Sequence, residues 1–192
     1  MKDRILDIFE ESARVKTAFA QENADKIVAV VQLITTALRS GKKIILFGNG
    51  GSATDASHIA AEFVNRFLMD RPPLPALALT TDPAVLTSIG NDFGFDQVFA
   101  KQLAALGQEG DVVIGISTSG NSPNVINGLN VAKKGGMRTV VRTGGTGGKM
   151  ANMADHTFIV DSRHTPHIQE THITLGHILC QLVDEELFGG KR

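Results

Sequence analysis

The chain has 192 residues, of which 42% are hydrophobic and 20% are charged, and its formal net charge is −1. That length supports one ordinary globular domain, and the absence of a basic cluster argues against a nucleic-acid partner. No apolar run approaches the roughly 20 residues that a membrane span requires. The single cysteine, Cys180, excludes an intrachain disulfide and favours a cytoplasmic protein with a buried thiol.

The predicted elements begin with helices and then alternate between strand and helix. Apolar stripes predict two helices within 3–39, and Ser40-Gly41 ends the second. Short apolar runs predict buried strands at 43–47, 76–80, 112–116, 138–142 and 157–160. Helical patterns occupy 52–68, 83–89 with 95–106, 123–134, a short stretch at 149–154, and about 166–187. This order predicts a doubly wound α/β fold with a parallel sheet. We expect a single domain over 1–192, with a helical extension at 1–40 and an α/β core at 41–192.

Two loops rich in glycine and serine each follow a predicted strand and precede a predicted helix. Residues 48–52 read GNGGS, and residues 117–122 read STSGNS. Such loops bring backbone N–H groups, small hydroxyls and a helix N-terminus to one point, a combination that binds anions such as phosphate. Because parallel strands end at one edge of the sheet, the two loops predict a phosphorylated small molecule bound at that edge.

The helix predicted at 52–68 carries side chains suited to acid–base or metal chemistry. His58 and Glu62 are four residues apart and therefore lie on one face. This spacing suits two metal ligands or a base and its neighbour, and it is equally typical of an ordinary surface pair. Arg66 follows Glu62 by four residues, where it either pairs with Glu62 or binds a substrate phosphate.

Polar side chains elsewhere are further candidates. The last predicted helix carries Gln169 and His177, which lie about 80° apart around the helix axis. They either serve one site or are hydrogen-bonded groups of a core helix. Asn91 and Asp92 are predicted in a turn between helices, where they either form an Asx turn or contact a sugar hydroxyl.

Taken in order, these segments give a pattern that resembles the SIS (sugar isomerase) domain family, and within it a branch that acts on a phosphorylated seven-carbon sugar. The matching segments are 48–52, Asp55-Ala56-x-His58 with Glu62, 90–94, 110–112, 115–122, 168–172 and 176–178. The resemblance covers essentially the whole chain. It implies a flavodoxin-like fold with a five-stranded parallel sheet, and a homotetramer whose active sites lie at subunit interfaces.

The same resemblance implies roles for individual residues. The implied phosphate ligands are Ser117, Thr118, Ser119 and Ser122. The implied lining of the sugar site is Asn49, Gly50, Gly51, Ser52, Asn91, Asp92 and Gln169, with Arg66 nearby. One zinc per subunit is implied, with the ligands His58, Glu62, Gln169 and His177. Glu62 and His177 are also the implied acid–base pair. Some members have an acidic residue where this chain reads TPH at 165–167, so no role is carried over for that acid.

The implied activity is conversion of D-sedoheptulose 7-phosphate into D-glycero-D-manno-heptose 7-phosphate through an enediol, the first step towards ADP- or GDP-heptose. The alternatives are a non-catalytic SIS protein that binds sugar phosphates, an SIS protein that binds a replication initiator, and an isomerase of another sugar phosphate. Residues 71–76, which read RPPLPA, also occur in the initiator-binding type. That type lacks the glutamate and the last-helix histidine, so Glu62 and His177 favour the enzyme.

Overall fold

The computed structural model describes residues 1–190, which form six α-helices, two short 3₁₀ turns and one parallel sheet. The helices are α1 (Lys2–Arg39), α2 (Gly51–Val64), α3 (Pro83–Phe93), α4 (Val98–Leu106), α5 (Pro123–Lys134) and α6 (Thr165–Phe188). The strands are β1 (Ile44–Gly48), β2 (Ala76–Ala78), β3 (Val112–Ile116), β4 (Arg138–Gly144) and β5 (His156–Val160). Within the described residues, no helix combines the length and the apolar character that crossing a membrane demands.

The sheet has the strand order β2-β1-β3-β4-β5, and every pairing is parallel. This is the flavodoxin-like order, in which the direction of winding reverses between β1 and β3. The predicted doubly wound, five-stranded α/β fold is therefore confirmed. Ligands of such sheets bind in the crevice outside the carboxyl ends of the strands at the point of reversal.

Alternate side chains of each strand enter two different apolar cores. On β1, Ile44 and Leu46 pack with α1, α2 and α6, whereas Ile45 and Phe47 pack with α4 and α5. All five residues of β1 are buried, as expected for a strand covered on both faces. Cys180 lies in the first core and is fully buried, and burial raises the pKa of its thiol to about 12.

The N-terminal region is one continuous helix, so the prediction of two helices was wrong. No glycine or proline occurs within α1, and its buried positions continue through the middle at Phe19, Asn23 and Ile27. Asn23 stands at a buried position, where its side-chain amide donates to the Phe19 carbonyl at 2.9 Å. This polar residue interrupts the apolar stripe in the sequence without interrupting the helix. Beyond its exposed first turns, α1 packs chiefly along α6.

Three predicted helical boundaries also differ from the structure. The helix predicted at 52–68 ends at Val64, and the stretch at 149–154 contains only a 3₁₀ turn, Gly148–Met150. The helix predicted to end at residue 89 continues to Phe93. Asp82 supports α3 from its other end, because its side chain accepts hydrogen bonds from the N–H groups of Ala84 and Val85.

Candidate active site

The two predicted anion-binding loops lie side by side at the point where the sheet reverses its winding. Gly48, the last residue of β1, is paired in register with Ile116, the last residue of β3. Each loop therefore leaves the sheet at the same level, and each leads into a helix, α2 or α5. Both helix N-termini point their backbone N–H groups towards this edge, which favours an anion there.

The first loop contacts the last helix through a position that has no room for a side chain. A Cβ atom at Gly51 would clash with the side-chain amide of Gln169, which lies on α6. Gly50 precedes it with φ 56°, in the left-handed region that glycine adopts without strain. The structure thus brings Gly50, Gly51 and Gln169 together, although more than a hundred residues separate the loop from α6.

The first loop is also joined to the helix that follows the second loop. Asn49 donates from Nδ2 to Oδ1 of Asn124 at 2.9 Å, and Asn124 donates from Nδ2 to Oδ1 of Asn49 at 2.8 Å. Asn124 is 3% exposed, and its Oδ1 also accepts from the Val125 backbone N–H. Ser52 is buried next to Asn49, whose carbonyl accepts the Ser52 N–H. Sequence reasoning missed Asn124, because a buried asparagine in a helix resembles any other polar residue in the sequence.

The second loop gathers three hydroxyl groups at the N-terminus of α5. Ser117 Oγ lies 2.8 Å from Ser122 Oγ and 3.5 Å from Ser119 Oγ. Thr118 continues the loop, and its carbonyl accepts the N–H of Gly144 at the end of β4. Hydroxyls and helix N–H groups are donors for phosphate oxygens, so this cluster has the composition of a phosphate site.

Three side chains from two helices form a cluster of potential metal ligands. His58 Nε2 lies 3.1 Å from Glu62 Oε1 on α2, and His177 Nε2 on α6 lies 3.4 Å from His58 Nε2. One ligand atom from each residue lies within 4.8 Å of the others. The side chains are partly accessible, with relative exposures of 47% for His58 and 24% for Glu62.

The donors of this cluster match those that zinc takes in proteins. Two imidazole nitrogens and one carboxylate oxygen are a known ligand set for catalytic zinc. The partial exposure of these side chains leaves space for a further ligand. Gln169 lies two helical turns before His177 on α6, against Gly51. His58, Glu62 and His177 therefore fit a metal ion in number, type and spacing.

A ring stacked on His177 supports its orientation. Phe67 lies 5.4 Å from the His177 ring, centroid to centroid, with an angle of 11° between the planes. Phe67 follows α2 in a loop, and nothing in its local sequence indicates this contact. Gly176 precedes His177 and packs against α2, where an added Cβ would come within 2.6 Å of Ile59 Cδ1. The absence of a side chain at Gly176 thus brings α6 close to α2.

Buried polar groups lie beneath the cluster, between β4, α2 and α6. Arg142 is fully buried and donates from Nη1 to the His172 carbonyl at 3.1 Å. Burial lowers the pKa of Arg142 to about 10. Burial raises the pKa of Asp55, and the positive charge of Arg142 partly offsets that rise. Burial also lowers the pKa of His172 to about 4. Arg142 carries positive charge beneath the site, and sequence reasoning missed it because a strand-end arginine is usually exposed.

Arg66, Asn91 and Asp92 do not join these groups in the described chain. Arg66 is exposed beyond the end of α2, so the predicted helical alignment with Glu62 is wrong. Asn91 and Asp92 lie in the last turn of α3 and not in a turn between helices. Both are exposed, and Asn91 Nδ2 donates to Asp92 Oδ1 at 2.8 Å.

Comparison with known proteins identifies the family. A family model described as "SIS domain" matches residues 8–144. The chain is 57% identical over 188 residues to phosphoheptose isomerase of Thermodesulfovibrio yellowstonii, covering 98% of this chain and 94% of that protein. The structure of phosphoheptose isomerase from Neisseria gonorrhoeae superposes with a TM-score of 0.90 at 43% identity, covering 96% of this chain and 98% of that one. The corresponding enzyme from Francisella tularensis gives a TM-score of 0.92 at 39% identity, covering 95% and 97%. The chain therefore belongs to the SIS domain family and groups within it among the phosphoheptose isomerases.

Proposed function

We propose that the protein is an aldose–ketose isomerase that converts D-sedoheptulose 7-phosphate into D-glycero-D-manno-heptose 7-phosphate. The observation that carries this function is the convergence of Glu62, His58 and His177 from α2 and α6, of which α2 begins at the first loop. The named relatives supply the substrate class, a heptose phosphate. A regulatory SIS protein would need no such acid–base pair, so the enzyme is favoured over the non-catalytic alternatives.

In the proposed reaction Glu62 removes a proton from C1 of the ketose. The electron pair of that C–H bond forms the C1–C2 double bond of an enediol, while the carbonyl oxygen on C2 takes up a proton. His177 transfers a proton between the oxygens on C1 and C2. Return of a proton to C2 and loss of the proton on O1 then give the aldehyde at C1. A positioned acid or base of this kind contributes about 10²–10⁴-fold in rate.

We propose zinc as the cofactor, one per subunit. Its ligands would be His58, Glu62, Gln169 and His177. When bound, the ion would stabilise negative charge on the enediolate oxygen as a Lewis acid, an effect worth several kcal/mol. The support for zinc is the donor set and spacing of the three clustered residues, together with the position of Gln169 on the same helix as His177.

The phosphate of the substrate would occupy the second loop, with the sugar extending towards α2 and α6. The proposed phosphate ligands are Ser117, Thr118, Ser119 and Ser122. The proposed sugar contacts are Asn49, Gly50, Gly51, Ser52, Arg66, Asn91, Asp92 and Gln169. Phosphate binding far from the reacting carbon would orient C1 towards Glu62, which converts binding energy into positioning.

We also propose a homotetramer with active sites at subunit interfaces, formed by residues 1–192 folding as one domain. No residue of α3 is buried, and Phe93 and Phe95 are 56% and 63% exposed. At the start of α1, Phe9 is 72% exposed. Such apolar exposure is typical of surfaces that a partner covers. A second copy covering α3 would bring Asn91 and Asp92 to an interface, where they could reach a neighbouring site. The cytoplasmic location stays a prediction.

The proposed activity is tested by incubating the purified protein with sedoheptulose 7-phosphate and following formation of the aldose. Parallel reactions contain a chelator, the chelator with excess zinc, or a hexose or pentose phosphate in place of the heptose. We expect turnover of the heptose phosphate, loss with chelator and recovery with zinc. A protein that binds the sugar phosphate without converting it would be a regulator instead. Light scattering of the same preparation measures the oligomer.

A further inference from the structure

Arg71 lies in the loop between α2 and β2, and its buried guanidinium connects the end of α2 to α6. Its Nη2 donates to the carbonyl of Glu62 at 2.9 Å, and its Nη1 donates to the carbonyl of Phe63 at 2.8 Å. Longer hydrogen bonds of 3.2 Å join Nη1 to the carbonyls of Asn65 and Pro72. On the other side, Nε donates to Asp184 Oδ1 at 2.9 Å.

These contacts satisfy the carbonyl groups that the end of a helix leaves without partners. The Ala61 carbonyl accepts the N–H of Asn65, and the next two carbonyls, of Glu62 and Phe63, accept from Arg71. The Phe63 carbonyl also accepts the backbone N–H of Leu74. The side chain of Glu62 takes part in the proposed chemistry, and the peptide group of the same residue is fixed by Arg71. No other side chain of the described residues donates a hydrogen bond to that carbonyl.

The acidic partner of Arg71 belongs to the helix that carries His177. Asp184 lies seven residues after His177 on α6, about two turns further along and therefore on nearly the same side. The side chains of Arg71 and Asp184 are 1% and 4% exposed. Burial raises the pKa of Asp184, and Arg71 acts against that rise by its hydrogen bond and its charge. The pair is therefore a buried ionic contact between two helices.

The two helices have other contacts at different levels. Near the start of α2, Gly51 meets Gln169, and in the middle Ile59 packs over Gly176. Each of these contacts packs a side chain of one helix against a glycine of the other. At the end nearest Glu62, directed hydrogen bonds hold the peptide of Glu62 through Arg71 to Asp184.

We propose that Arg71 is a positioning residue that fixes Glu62 relative to His177 by linking the end of α2 to Asp184. This inference rests on the proposed function, and it adds a role for the RPPLPA segment at 71–76 that the active-site chemistry does not use. Lysine cannot reproduce the link, because an ammonium group lacks the planar fork of donors that reaches two carbonyls and a carboxylate at once. Loss of an outer support of this kind typically costs about 10–100-fold in metal affinity or activity.

The test compares two variants of the link with a buried ion pair elsewhere. Arg71→Lys keeps the charge and loses the fork, and Asp184→Asn keeps the shape and loses the charge. The control is Asp111→Asn, since the fully buried Asp111 pairs with Lys43 at 2.6 Å at the opposite edge of the sheet. For each protein, zinc affinity is measured by competition with a coloured chelator, kcat and KM with sedoheptulose 7-phosphate, and unfolding temperature without metal.

We expect Arg71→Lys and Asp184→Asn to weaken zinc binding and to lower kcat by about 10–100-fold, with KM changed much less. Asp111→Asn should lower the unfolding temperature while zinc affinity and kcat stay at wild-type values. Wild-type zinc affinity and kcat in both link variants would overturn the proposal. The proposal would also be overturned if the link variants lost no more zinc affinity and kcat than Asp111→Asn does at the same fall in unfolding temperature. If Arg71→Lys does not fold, Asp184→Asn decides.

The failure of the proposed function can be told apart from the failure of this inference. A wild-type protein that neither binds zinc nor converts the heptose phosphate would refute the function alone. The link is then decided by crystal structures of wild-type and Asp184→Asn protein without metal. The separation of the Glu62 carboxylate and the His177 imidazole should change in the variant, and an unchanged separation would refute the positioning role.

Discussion

His58 and His177 approach within 3.4 Å through their Nε2 atoms, although 119 residues separate them in the chain. Their helices follow β1 and β5, which lie on opposite sides of β3 and β4 in the sheet. The approach depends on α2 and α6 packing together on the same face of the sheet. Gly176 allows that packing, since its missing side chain leaves room for Ile59.

Glu62→Gln should nearly abolish turnover of sedoheptulose 7-phosphate. The amide keeps the shape of the side chain and loses the base, so we expect kcat to fall by about 10²–10⁴-fold. The unfolding temperature should change little, because the Glu62 side chain is partly exposed and its amide oxygen can still accept from His58. Glu186→Gln, on the exposed side of α6, is the control. Activity within a few-fold of wild type would rule out Glu62 as the base.

Gly51→Ala should act through Gln169. The added Cβ clashes with the Gln169 amide and must displace it, while Gly51 itself has no positive φ that would strain an alanine. We therefore expect weaker substrate or zinc binding with a small loss of stability. The comparison uses Gln169→Ala and the double variant. If the clash is the cause, the double variant is no worse than Gln169→Ala alone, because two changes that act through one contact are not additive. Additive losses would contradict this explanation.

Ser119→Ala tests the second loop as the phosphate site. A hydrogen bond to a charged group is worth about 1.5–3 kcal/mol, which corresponds to a rise in KM of roughly ten- to a hundredfold. We expect kcat to be largely retained, since Ser119 belongs to the second loop and not to the cluster of His58, Glu62 and His177. Ser40→Ala, at the end of α1, removes an exposed hydroxyl that bonds only the Thr36 carbonyl and serves as the control. An unchanged KM would argue against this phosphate site.

His172 should make the folded protein less stable in mild acid. Burial, with a contribution from the charge of Arg142, lowers the pKa of His172 from 6.5 to about 4. Between these values the unfolded chain binds a proton that the folded chain does not. The contribution of His172 to the free energy of unfolding is therefore complete above the pKa that His172 has in the unfolded chain. It is lost as the pH drops towards the pKa in the folded protein, by at most about 1.4 kcal/mol per pH unit.

His172→Gln should remove this part of the pH dependence. A glutamine amide can still donate to the Thr143 carbonyl, as His172 Nε2 does at 3.1 Å when it carries the proton. Urea unfolding across that pH range should give a flatter profile for His172→Gln than for wild type. His164→Gln, which alters an exposed histidine, should keep the wild-type slope. Parallel profiles for His172→Gln and wild type would show that His172 is not the group responsible.

The α/β class with a parallel sheet could be predicted because the central strands β1 and β3 are short apolar runs buried on both faces. For β3 the predicted and observed bounds are identical, and β1 is displaced by one residue. The single helix α1 could not be predicted, because Asn23 puts a polar side chain at a buried position. The length of α2 was overestimated because the apolar residues beyond Val64, such as Phe67, pack in a loop.

Within the candidate site, helical periodicity alone predicted one contact correctly, that between His58 and Glu62. Their contact with His177 depends on tertiary packing, and the resemblance to a known family was needed to predict it. Arg71, Asn124 and Arg142 were not singled out as site residues, since each acts through partners distant in sequence. Asn91 and Asp92 lie on the exposed helix α3, and no contact with the rest of the described chain explains why they are there.

The reciprocal amide pair of Asn49 and Asn124 fixes the spacing between the two loops before a substrate arrives. Much of the conformational entropy of the loops is therefore lost during folding, so a sugar phosphate bound there as proposed would associate more strongly. A fixed distance between the two loops would also favour sugar phosphates of one carbon-chain length. If the phosphate binds among the serine hydroxyls as proposed, a sugar phosphate with a shorter carbon chain would not bring its C1 to Glu62.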